Sequence, residues 1–374
     1  MRRLAPNADG TLLPIAALLN GIGFVTIARL DEDLARIQAV WTAVGVGAFI
    51  ATLLIVRRTR TIERYRYTLL LVGVGFLLLP LVPGIGRTIN GARLWASLGP
   101  LNFQPGEAAK VLLVAFFAGY LVDKRELLTA GSVRLGRMHL PALRHLGPLM
   151  LAWGASIVVM VLEKDLGSSL LFFGVFASML YMATGRSAYL LGALVLFAVG
   201  AAIAAQSFGH VQVRIDTWLD PWSDAQDSGY QVIQSWFAFG TGGLAGTGLG
   251  LGNPDKIPAA ATDFVFSAIG EELGLIGSVG VLLCFLLLVG SGYRIAVQSP
   301  RPFPKLFAAG LTTILGLQTF VIVGGVTRLI PLTGITLPWV SYGGSSLVAN
   351  FAILALLLRV SDETVSDPVR PARR

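Results

Sequence analysis

Asp263 is a single carboxylate at the point where a long polar segment gives way to a run of apolar residues. If the following segment is helical, Ser267, Gly270 and Gly274 fall within about 40° of Asp263, at about 100° per residue. This stripe of small residues, which extends to Gly277, permits either close contact between helices or an open groove beside the carboxylate. A simpler alternative is that Asp263 only caps the start of the helix.

Other charged residues occur at the ends of apolar runs. Glu107 and Lys110 are three apart, so on a helix they share a face and can form an ion pair. Ionisable groups in a membrane span are costly and usually functional, although a buried pair can also serve structure alone. The short turn around Asp165 adds three charges between two apolar runs, either for function or simply as interfacial charges.

The composition indicates which class of protein must position these residues. Of the 374 residues, 54% are apolar and 13% are charged, whereas soluble domains have about 25% charged residues. Apolar runs of span length, about 20 residues, begin near Leu12, Ile37, Tyr67, Glu107, Leu146, Gly167, Ala188, Phe264, Phe307 and Ser341. The sequence therefore predicts an all-α, polytopic membrane protein with about ten transmembrane helices, a single integral membrane domain over residues 1–374.

The basic residues predict the orientation of these helices. Most of the 29 lysine and arginine residues fall in inner loops if both termini are cytoplasmic, as the positive-inside rule requires. The net charge of +8 is then explained by anionic membrane lipids, and no nucleic acid partner is expected. No cleavable signal peptide is seen, so the first helix is expected to act as its own insertion signal. The single cysteine, Cys284, excludes a disulfide within the chain.

Residues 208–262 form the longest polar stretch, a large extracytoplasmic loop that contains Arg214, Gln231 and Lys256. A loop of this length is usually functional. Its glycine-rich tract, residues 240–252, lacks the nucleotide-binding P-loop pattern. The backbone amides of this tract could still form a nest for a phosphate.

The last apolar run begins with several hydroxyl groups, among them Ser341 and Ser345. A helix start of this kind is suited to anionic oxygens. Residues 362–374 are polar and are expected to form a disordered cytoplasmic tail. Charged and hydroxyl residues thus gather at the predicted outer ends of helices, whereas the inner loops are simply basic. Any chemistry is therefore expected at the outer face.

Seven motifs, in order between residues 12 and 361, resemble those of the shape, elongation, division and sporulation (SEDS) family, which includes the RodA and FtsW branches. They are Asn-Gly-Ala-Arg-Leu-Trp (90–95), Phe-Gln-Pro-Gly-Glu-Ala-Ala-Lys (103–110), Asp-Leu-Gly (165–167), Gly-Tyr-Gln (229–231), Thr-Asp-Phe-Val-Phe (262–266), Gly-Glu-Glu-Leu-Gly (270–274) and Pro-Leu-Thr-Gly-Ile-Thr-Leu-Pro-Trp-Val-Ser-Tyr-Gly-Gly-Ser-Ser (331–346). The predicted ten-span topology is also the one found in this family.

The resemblance implies a peptidoglycan glycosyltransferase that polymerises lipid II at the outer face of the bacterial cytoplasmic membrane. It implies that Asp263 corresponds to the essential acid of the family, and it implies a class B penicillin-binding protein, a transpeptidase, as partner. The residues expected to bind substrate or support the acid are Arg93, Trp95, Glu107, Lys110, Asp165, Arg214, Gln231, Lys256, Ser341 and Ser345.

On this basis Asp263 is expected to act as general base, taking the proton of the acceptor 4-hydroxyl as it attacks the anomeric carbon of the donor. One carboxylate suffices for a single inverting displacement, whereas a retaining reaction needs a second carboxylate as nucleophile. Positive charge would stabilise the departing diphosphate. It could come from a divalent cation, Mg²⁺ or Mn²⁺, or from Arg93, Lys110, Arg214 and Lys256.

The chain departs from the common pattern of the family in two places. Relatives often have Pro-Glu-Ala-His before Thr-Asp, whereas three alanines follow Pro258 here. They also often have Pro-Asp-Leu-Gly-Thr where this chain has Lys-Asp-Leu-Gly-Ser at 164–168. Either the missing groups are not required in this branch or activity has been lost; Arg328 could replace some of the lost charge. The turn at Glu163 and the short tail favour the RodA branch over FtsW.

Two other functions fit the sequence less well. A lipid II flippase could use ten helices with glycines in midspan, but transport sites usually lie near the midplane of the membrane. A scaffold that only holds a penicillin-binding protein would not need Asp263, Glu107 and Lys110.

Overall fold

The structure, a computed structural model, describes residues 4–366 except 90–91, 99–100, 130–132, 136–137, 141–149, 151–153, 156 and 159–160. Its α-helices are α1 (Leu12–Leu30), α2 (Glu32–Ile55), α3 (Thr59–Arg64), α4 (Arg66–Leu78), α5 (Pro105–Asp123), α6 (Arg125–Thr129), α7 (Leu166–Thr184), α8 (Ser187–Ser207), α9 (Gly209–Leu219), α10 (Tyr230–Gly242), α11 (Val265–Gln298), α12 (Pro302–Val326) and α13 (Gly344–Ser366). Its strands are β1 (Gly86–Ile89), β2 (Ala92–Leu98), β3 (Leu101–Phe103), β4 (Val133–Leu135) and β5 (Met138–Leu140).

Eight of the described helices are long and apolar enough to cross a membrane, namely α1, α2, α5, α7, α8, α11, α12 and α13. They coincide with eight of the ten predicted spans and confirm a polytopic, helical membrane protein. The span predicted near Tyr67 is a shorter apolar helix, Arg66–Leu81, made of α4 and a final 3-10 turn. The span predicted near Leu146 falls largely outside the described residues.

The ends of the helices follow from local sequence. The carboxylate of Asp31, between α1 and α2, accepts hydrogen bonds from the N–H groups of Asp33 and Leu34, as a typical N-cap does. Helices α5 and α12 each begin with proline, which is tolerated there because the first N–H has no partner within the helix. Gly185 ends α7 in the left-handed conformation that glycine adopts readily.

Helices α12 and α13 form the centre of the bundle. In their most apolar windows, 78% and 83% of the residues are buried, against none in α8. The packing around α12 is close: a Cβ atom at Gly310 would lie 2.7 Å from Val114 of α5 and 2.8 Å from Met179 of α7. The exposed leucines and valines of α8 have the pattern of a helix that faces lipid.

Two segments between the long helices are more ordered than the sequence predicted. The turn-rich segment before α5 forms the antiparallel sheet β1–β2–β3, so the extramembrane part is not purely helical. Residues 208–262, predicted as one loop, contain α9, α10 and two 3-10 turns, Pro221–Asp224 and Pro254–Lys256. Helix α10 buries Val232 and Ile233 and exposes Phe237, and this amphipathic pattern fixes it as a helix on the protein surface.

The two ends of the described chain lie together. The N–H of Asn7 donates to the carboxylate of Asp362 at 2.9 Å, and Asp362 also pairs with Arg359 at 3.3 Å. Helix α13 therefore continues through Ser366, and its last turn is not part of the predicted disordered tail. The rest of that tail, residues 367–374, lies outside the described residues. Both ends of the described chain thus lie on the same side of the helix bundle, as expected if both termini are on one side of the membrane.

Candidate active site

Asp263 lies in the turn immediately before α11, with a half-buried side chain. The N-cap of α11 is Phe264, and no side chain caps this helix. Capping, the simpler alternative for Asp263, is therefore not its role. The turn is fixed from outside, because the hydroxyl of Ser341 donates to the carbonyl of Thr262 at 2.6 Å.

Arg214 of α9 places a cation beside Asp263. Its Nη1 donates to the carbonyl of Leu332 at 2.7 Å. Gly334 lies between the two charged groups: a Cβ atom there would be 3.6 Å from both Asp263 Oδ2 and Arg214 Nη2. Gly334 has a φ of +76°, which glycine adopts without strain. The backbone conformation therefore favours glycine here, and both charged groups lie against this residue.

Two further acids lie in the turn before α7. Asp165 is buried, and its carboxylate accepts a hydrogen bond from the N–H of Ser168 at 3.0 Å. The side chain of Glu163 is also buried, and its Oε1 has no hydrogen-bond partner among the described residues. Between them, Lys164 is exposed and has a φ of +61°. A strained residue thus separates two buried acids, an arrangement often found at functional sites.

Burial raises the pKa of Asp263 to about 6; Arg214 and the Thr262 hydroxyl act in the opposite direction, and the charge of Asp165 raises the pKa further. Burial also raises the pKa of Asp165, against the effects of Ser168 and Arg214. A carboxylate with a pKa close to neutrality is a better proton acceptor than an ordinary aspartate. Asp263 therefore has the properties of a general base.

Glu163 gives a testable consequence for stability. Burial, and secondarily Asp165, raises the pKa of Glu163 from 4.5 to about 8. The protonated side chain of Glu163 therefore contributes fully to the free energy of unfolding below about pH 4.5, and this contribution is lost as the pH rises through 8. Glu163→Gln, neutral at every pH, should increase the free energy of unfolding at pH 8 by up to about 4 kcal/mol, and much less at pH 5.

Thermal unfolding in detergent at the two pH values measures this effect. Glu32→Gln is the matched control, because the side chain of Glu32 is 83% exposed and its substitution should change little at either pH. An equal change in the melting temperature of Glu163→Gln at pH 5 and pH 8 would contradict the prediction.

The predicted ion pair is formed at the start of α5. Lys110 Nζ lies 2.7 Å from Glu107 Oε2 and donates to Gln318 Oε1 of α12 at 3.0 Å. The side chains of Lys110 and Glu107 are 4% and 13% exposed. Lys110 is thus held by two protein partners, and its predicted role in supporting the site stays a prediction. Sequence reasoning missed Gln318, although an amide inside an apolar span is itself a signal.

Residues 331–343, most of the connection between α12 and α13, bring the parts of the site together. Besides its contacts with Arg214 and Asp263, this segment accepts a hydrogen bond from Gln318 Nε2 at the carbonyl of Thr336, at 2.8 Å. It also packs against the start of α7: a Cβ atom at Gly167 would lie 2.8 Å from the carbonyl oxygen of Thr333. The segment is therefore the common wall of the site.

The serine hydroxyls near the last helix have mainly structural contacts. Ser341 is buried, and besides donating to Thr262 it accepts from the N–H of Leu337 at 2.8 Å. Ser345 accepts from the N–H of Gln104 at 2.9 Å. The hydroxyl of Ser341 is thus used within the protein, where it supports the turn that bears Asp263.

Four other predicted residues lie in the segments between the long helices. Arg93 and Trp95 are on β2, and the N–H of Arg93 donates to the carbonyl of Glu163 at 3.1 Å, which docks the sheet on the acidic turn. Gln231 is half-buried in α10, and Lys256 is exposed in a 3-10 turn. Within the described chain, no hydrogen bond or ion pair joins any of the four to Asp263.

The small residues that follow Asp263 pack against α10. A Cβ atom at Gly270 would lie 2.4 Å from the ring of Phe239, and one at Gly242 would lie 2.0 Å from the carbonyl oxygen of Gly270. Helix α11 is also interrupted at Gly274, where φ is +67°. Of the two alternatives for this stripe, close helix contact is the one observed. The groove expected to admit a sugar or lipid is not formed here.

The glycine-rich tract is bound by carboxylates of the chain itself. The N–H of Gly250 donates to Glu272 Oε1 at 3.2 Å, and the N–H of Asn253, just beyond the tract, donates to Glu271 Oε1 at 2.8 Å. Glu272 also pairs with Arg29 at 3.0 Å. The phosphate nest predicted for this tract is wrong at Gly250, because its amide is already used.

Arg328 does not supply charge to the site. Its Nε donates to the carbonyl of Trp218 at 2.8 Å, and its guanidinium lies over the ring of Trp236, 5.0 Å from the ring centroid. Arg328 therefore fastens the end of α9 and the middle of α10 to the end of α12, and the compensation suggested for the missing Glu and His is not seen.

The donor groups at the site do not by themselves suit a resident metal. Within the described residues, no group of three or more His, Cys, Asp or Glu side chains converges in the manner of metal ligands. Mg²⁺, however, is commonly held by one or two carboxylates together with substrate phosphates.

Comparison with known proteins relates this arrangement to a family. A family model described as a cell cycle protein, of FtsW, RodA and SpoVE type, matches residues 15–366. Peptidoglycan glycosyltransferase RodA of Mycobacterium tuberculosis is 47% identical over 372 residues, covering 96% of this chain and 79% of the relative. A probable peptidoglycan glycosyltransferase FtsW of Geobacter metallireducens is 37% identical over 333 residues, covering 88% and 85% of the two chains.

A solved structure gives the same result for the fold. A chain of a peptidoglycan synthase complex, studied for how polymerization and crosslinking are coordinated, matches with a TM-score of 0.78 and 30% identity, covering 96% of this chain and 99% of that chain. The identity to the RodA relative exceeds that to the FtsW relative, in agreement with the branch that the turn at Glu163 and the short tail favoured. The chain therefore belongs to the FtsW/RodA/SpoVE family, the SEDS family that its motifs indicated, and it is of the RodA type.

Proposed function

We propose that this chain is a peptidoglycan glycosyltransferase that polymerises lipid II, a disaccharide-pentapeptide carried on undecaprenyl diphosphate. Both curated relatives have this enzyme class in their names. The observation that carries the proposal is Asp263, a half-buried carboxylate that caps no helix and lies, like the Arg214 guanidinium, against Gly334.

In the proposed reaction, Asp263 accepts the proton of the acceptor 4-hydroxyl. The hydroxyl oxygen forms a bond to the anomeric carbon of the donor, and the bond from that carbon to the diphosphate oxygen breaks. The diphosphate leaves with the bonding electron pair, so a single displacement inverts the anomeric carbon. A retaining reaction would need a second carboxylate about 5 Å away as nucleophile. Arg214 is the cation nearest to Asp263 and would stabilise the developing negative charge.

The need for a divalent cation is a separate proposal. Mg²⁺ or Mn²⁺ bound to the diphosphate would neutralise part of its charge. Removal of divalent cations with EDTA is expected to slow polymerisation, and added Mg²⁺ or Mn²⁺ to restore it. Full activity in EDTA would mean that only the basic side chains of the protein neutralise the charge of the diphosphate.

The site is proposed to face the outer side of the bacterial cytoplasmic membrane, where lipid II is consumed. A class B penicillin-binding protein is the proposed partner, and the match to a chain of a peptidoglycan synthase complex supports it. The RodA type favours a role in elongation. Depletion in the host should then give rounded cells, whereas filamentous cells would indicate division.

The pKa of Asp263 predicts how the reaction depends on pH. A base must be deprotonated, so the rate should fall as the pH drops through about 6, the pKa of Asp263. This acid limb is measured as the initial rate of polymerisation between pH 4.5 and 8. A rate that stays constant down to pH 4.5 would mean that the base has an ordinary carboxylate pKa or is not Asp263.

Proteoliposomes with fluorescent lipid II and the partner protein test the proposed function. Polymer length is read on gels, and translocation is read separately as protection of the fluorophore from an impermeant quencher. A glycosyltransferase gives glycan polymer. Translocation without polymer would instead indicate a flippase, and neither product, with the partner still bound, would indicate a scaffold.

A further inference from the structure

Gln318 has a position that the proposed mechanism does not explain. It lies in α12, and only 1% of its side chain is exposed. Its Oε1 accepts from Lys110 Nζ at 3.0 Å, and its Nε2 donates to the carbonyl of Thr336 at 2.8 Å. The orientation of the amide is fixed by chemistry, because the Lys110 ammonium can only donate and a carbonyl can only accept.

The carbonyl of Thr336 belongs to residues 331–343, the wall of the site. Four residues before it, the carbonyl of Leu332 accepts from Arg214 Nη1 at 2.7 Å. Two residues before it, Gly334 lies against both Arg214 and Asp263. A displacement of this segment would therefore move the Arg214 guanidinium relative to the Asp263 carboxylate.

We propose that Gln318 is a positioning residue that ties residues 331–343 to the Lys110–Glu107 pair and thereby sets the distance between Arg214 and Asp263. It acts on Asp263 through the backbone of this segment and does not touch the substrate. The amide suits this role because it satisfies a buried cation at one end and a buried carbonyl at the other. Without the amide, the Lys110 ammonium and the Thr336 carbonyl would each lose one hydrogen bond.

The charged groups around Asp263 give the direction of the effect. Arg214 from α9 stabilises the carboxylate, and so does the hydroxyl of Thr262, whereas Asp165 from the turn before α7 opposes ionisation. If the segment relaxes, Arg214 moves with the Leu332 carbonyl and its stabilising effect weakens. Protonation of Asp263 then occurs at higher pH, because an opposite charge farther away favours the ionised form less.

Two substitutions separate the two ends of the amide. Gln318→Met removes both hydrogen bonds and keeps a similar volume. Gln318→Glu keeps an acceptor for Lys110 but, when ionised, has no donor for the Thr336 carbonyl. Thr319→Val is the matched control: Thr319 is the next residue of α12, it is buried, and its hydroxyl donates to the carbonyl of Leu315 in its own helix.

The first readout does not depend on activity. A hydrophobic carbodiimide modifies protonated carboxyl groups, and mass spectrometry of the Asp263 peptide across a pH series gives the midpoint of protonation. We expect this midpoint to rise by at least about half a pH unit in both Gln318 variants and to remain at the wild-type value in Thr319→Val. An unchanged midpoint in both Gln318 variants would overturn the inference, whether or not the chain polymerises lipid II.

The second readout rests on the proposed function. Polymerisation of lipid II should have a kcat lowered about tenfold or more in both Gln318 variants, because small misplacements of catalytic groups are costly, with KM changed less than about twofold. A loss of kcat with an unmoved labelling midpoint would reduce Gln318 to a purely structural residue and overturn the inference. A wild-type chain that makes no polymer while the midpoint moves as expected would refute the proposed function and leave the positioning role in place.

Discussion

Asp263→Asn is expected to lower the rate of lipid II polymerisation by about 10²–10⁴-fold, the usual contribution of a general base. The amide has nearly the same size as the carboxylate, but it cannot accept the proton of the acceptor hydroxyl. Because Asp263 is half-buried and caps no helix, the substitution should leave the fold intact. Removal of a half-buried carboxylate near Asp165 should not lower the melting temperature, since like charges in proximity are unfavourable.

Asp216→Asn is the matched control for this experiment. Asp216 is an exposed acid on α9, the helix that also bears Arg214, so its substitution changes the same net charge in the same layer of the protein. We expect this variant to polymerise at the wild-type rate. Polymer from Asp263→Asn at near the wild-type rate, with an unchanged melting temperature, would exclude Asp263 as the base.

Much of the fold could be predicted because membrane insertion leaves a strong signal in sequence. Apolar runs of span length must form helices in lipid, and eight predicted spans are present as such. The ion pair of Glu107 and Lys110 could also be predicted, since residues three apart on a helix share a face. These features depend on local sequence and need no knowledge of tertiary contacts.

The wall of the site could not be predicted, because its contacts join distant parts of the chain. Gln318 and Thr336 are both uncharged and lie in apolar or turn-rich sequence, yet together they link α5 to the segment beside Asp263. The small-residue stripe after Asp263 was consistent with two outcomes, and only the position of Phe239 on α10 decides between them. The charged residues were visible in sequence, whereas Gln318, which joins the Glu107–Lys110 pair to this segment, was not.

The helices in residues 208–262 were missed for the same reason, because they too depend on contacts between distant parts of the chain. Helices α9 and α10 are amphipathic, with a polar face that lowers their overall hydrophobicity, so they do not appear as membrane spans. Helix α10 buries Val232 and Ile233, whereas α9 buries Val211 and is held to residues 331–343 by the bond from Arg214 to the Leu332 carbonyl. This packing carries Arg214 to Asp263, which lies far away in sequence. The sequence therefore predicts that Arg214 belongs to the site but not that it lies beside Asp263.

Lys110→Met is expected to lower the free energy of unfolding by about 3–5 kcal/mol, because the carboxylate of Glu107 would stay largely buried without its cation. The double variant Glu107→Gln/Lys110→Met removes both charges, and a neutral pair of similar volume is often about as stable as the buried ion pair. Most of the lost stability should therefore return in the double variant. Thermal unfolding in detergent compares the wild type, Lys110→Met and the double variant.

The activity of the double variant separates a structural pair from a functional one. Without Lys110, Gln318 loses the donor that holds its Oε1, and its bond to the Thr336 carbonyl is no longer fixed at the other end. We therefore expect the double variant to fold nearly as well as the wild type but to polymerise lipid II about tenfold more slowly, as expected for a small misplacement of catalytic groups. A double variant that regains both stability and full activity would show that Glu107 and Lys110 serve only to anchor α5, and that the position of Asp263 is set without them.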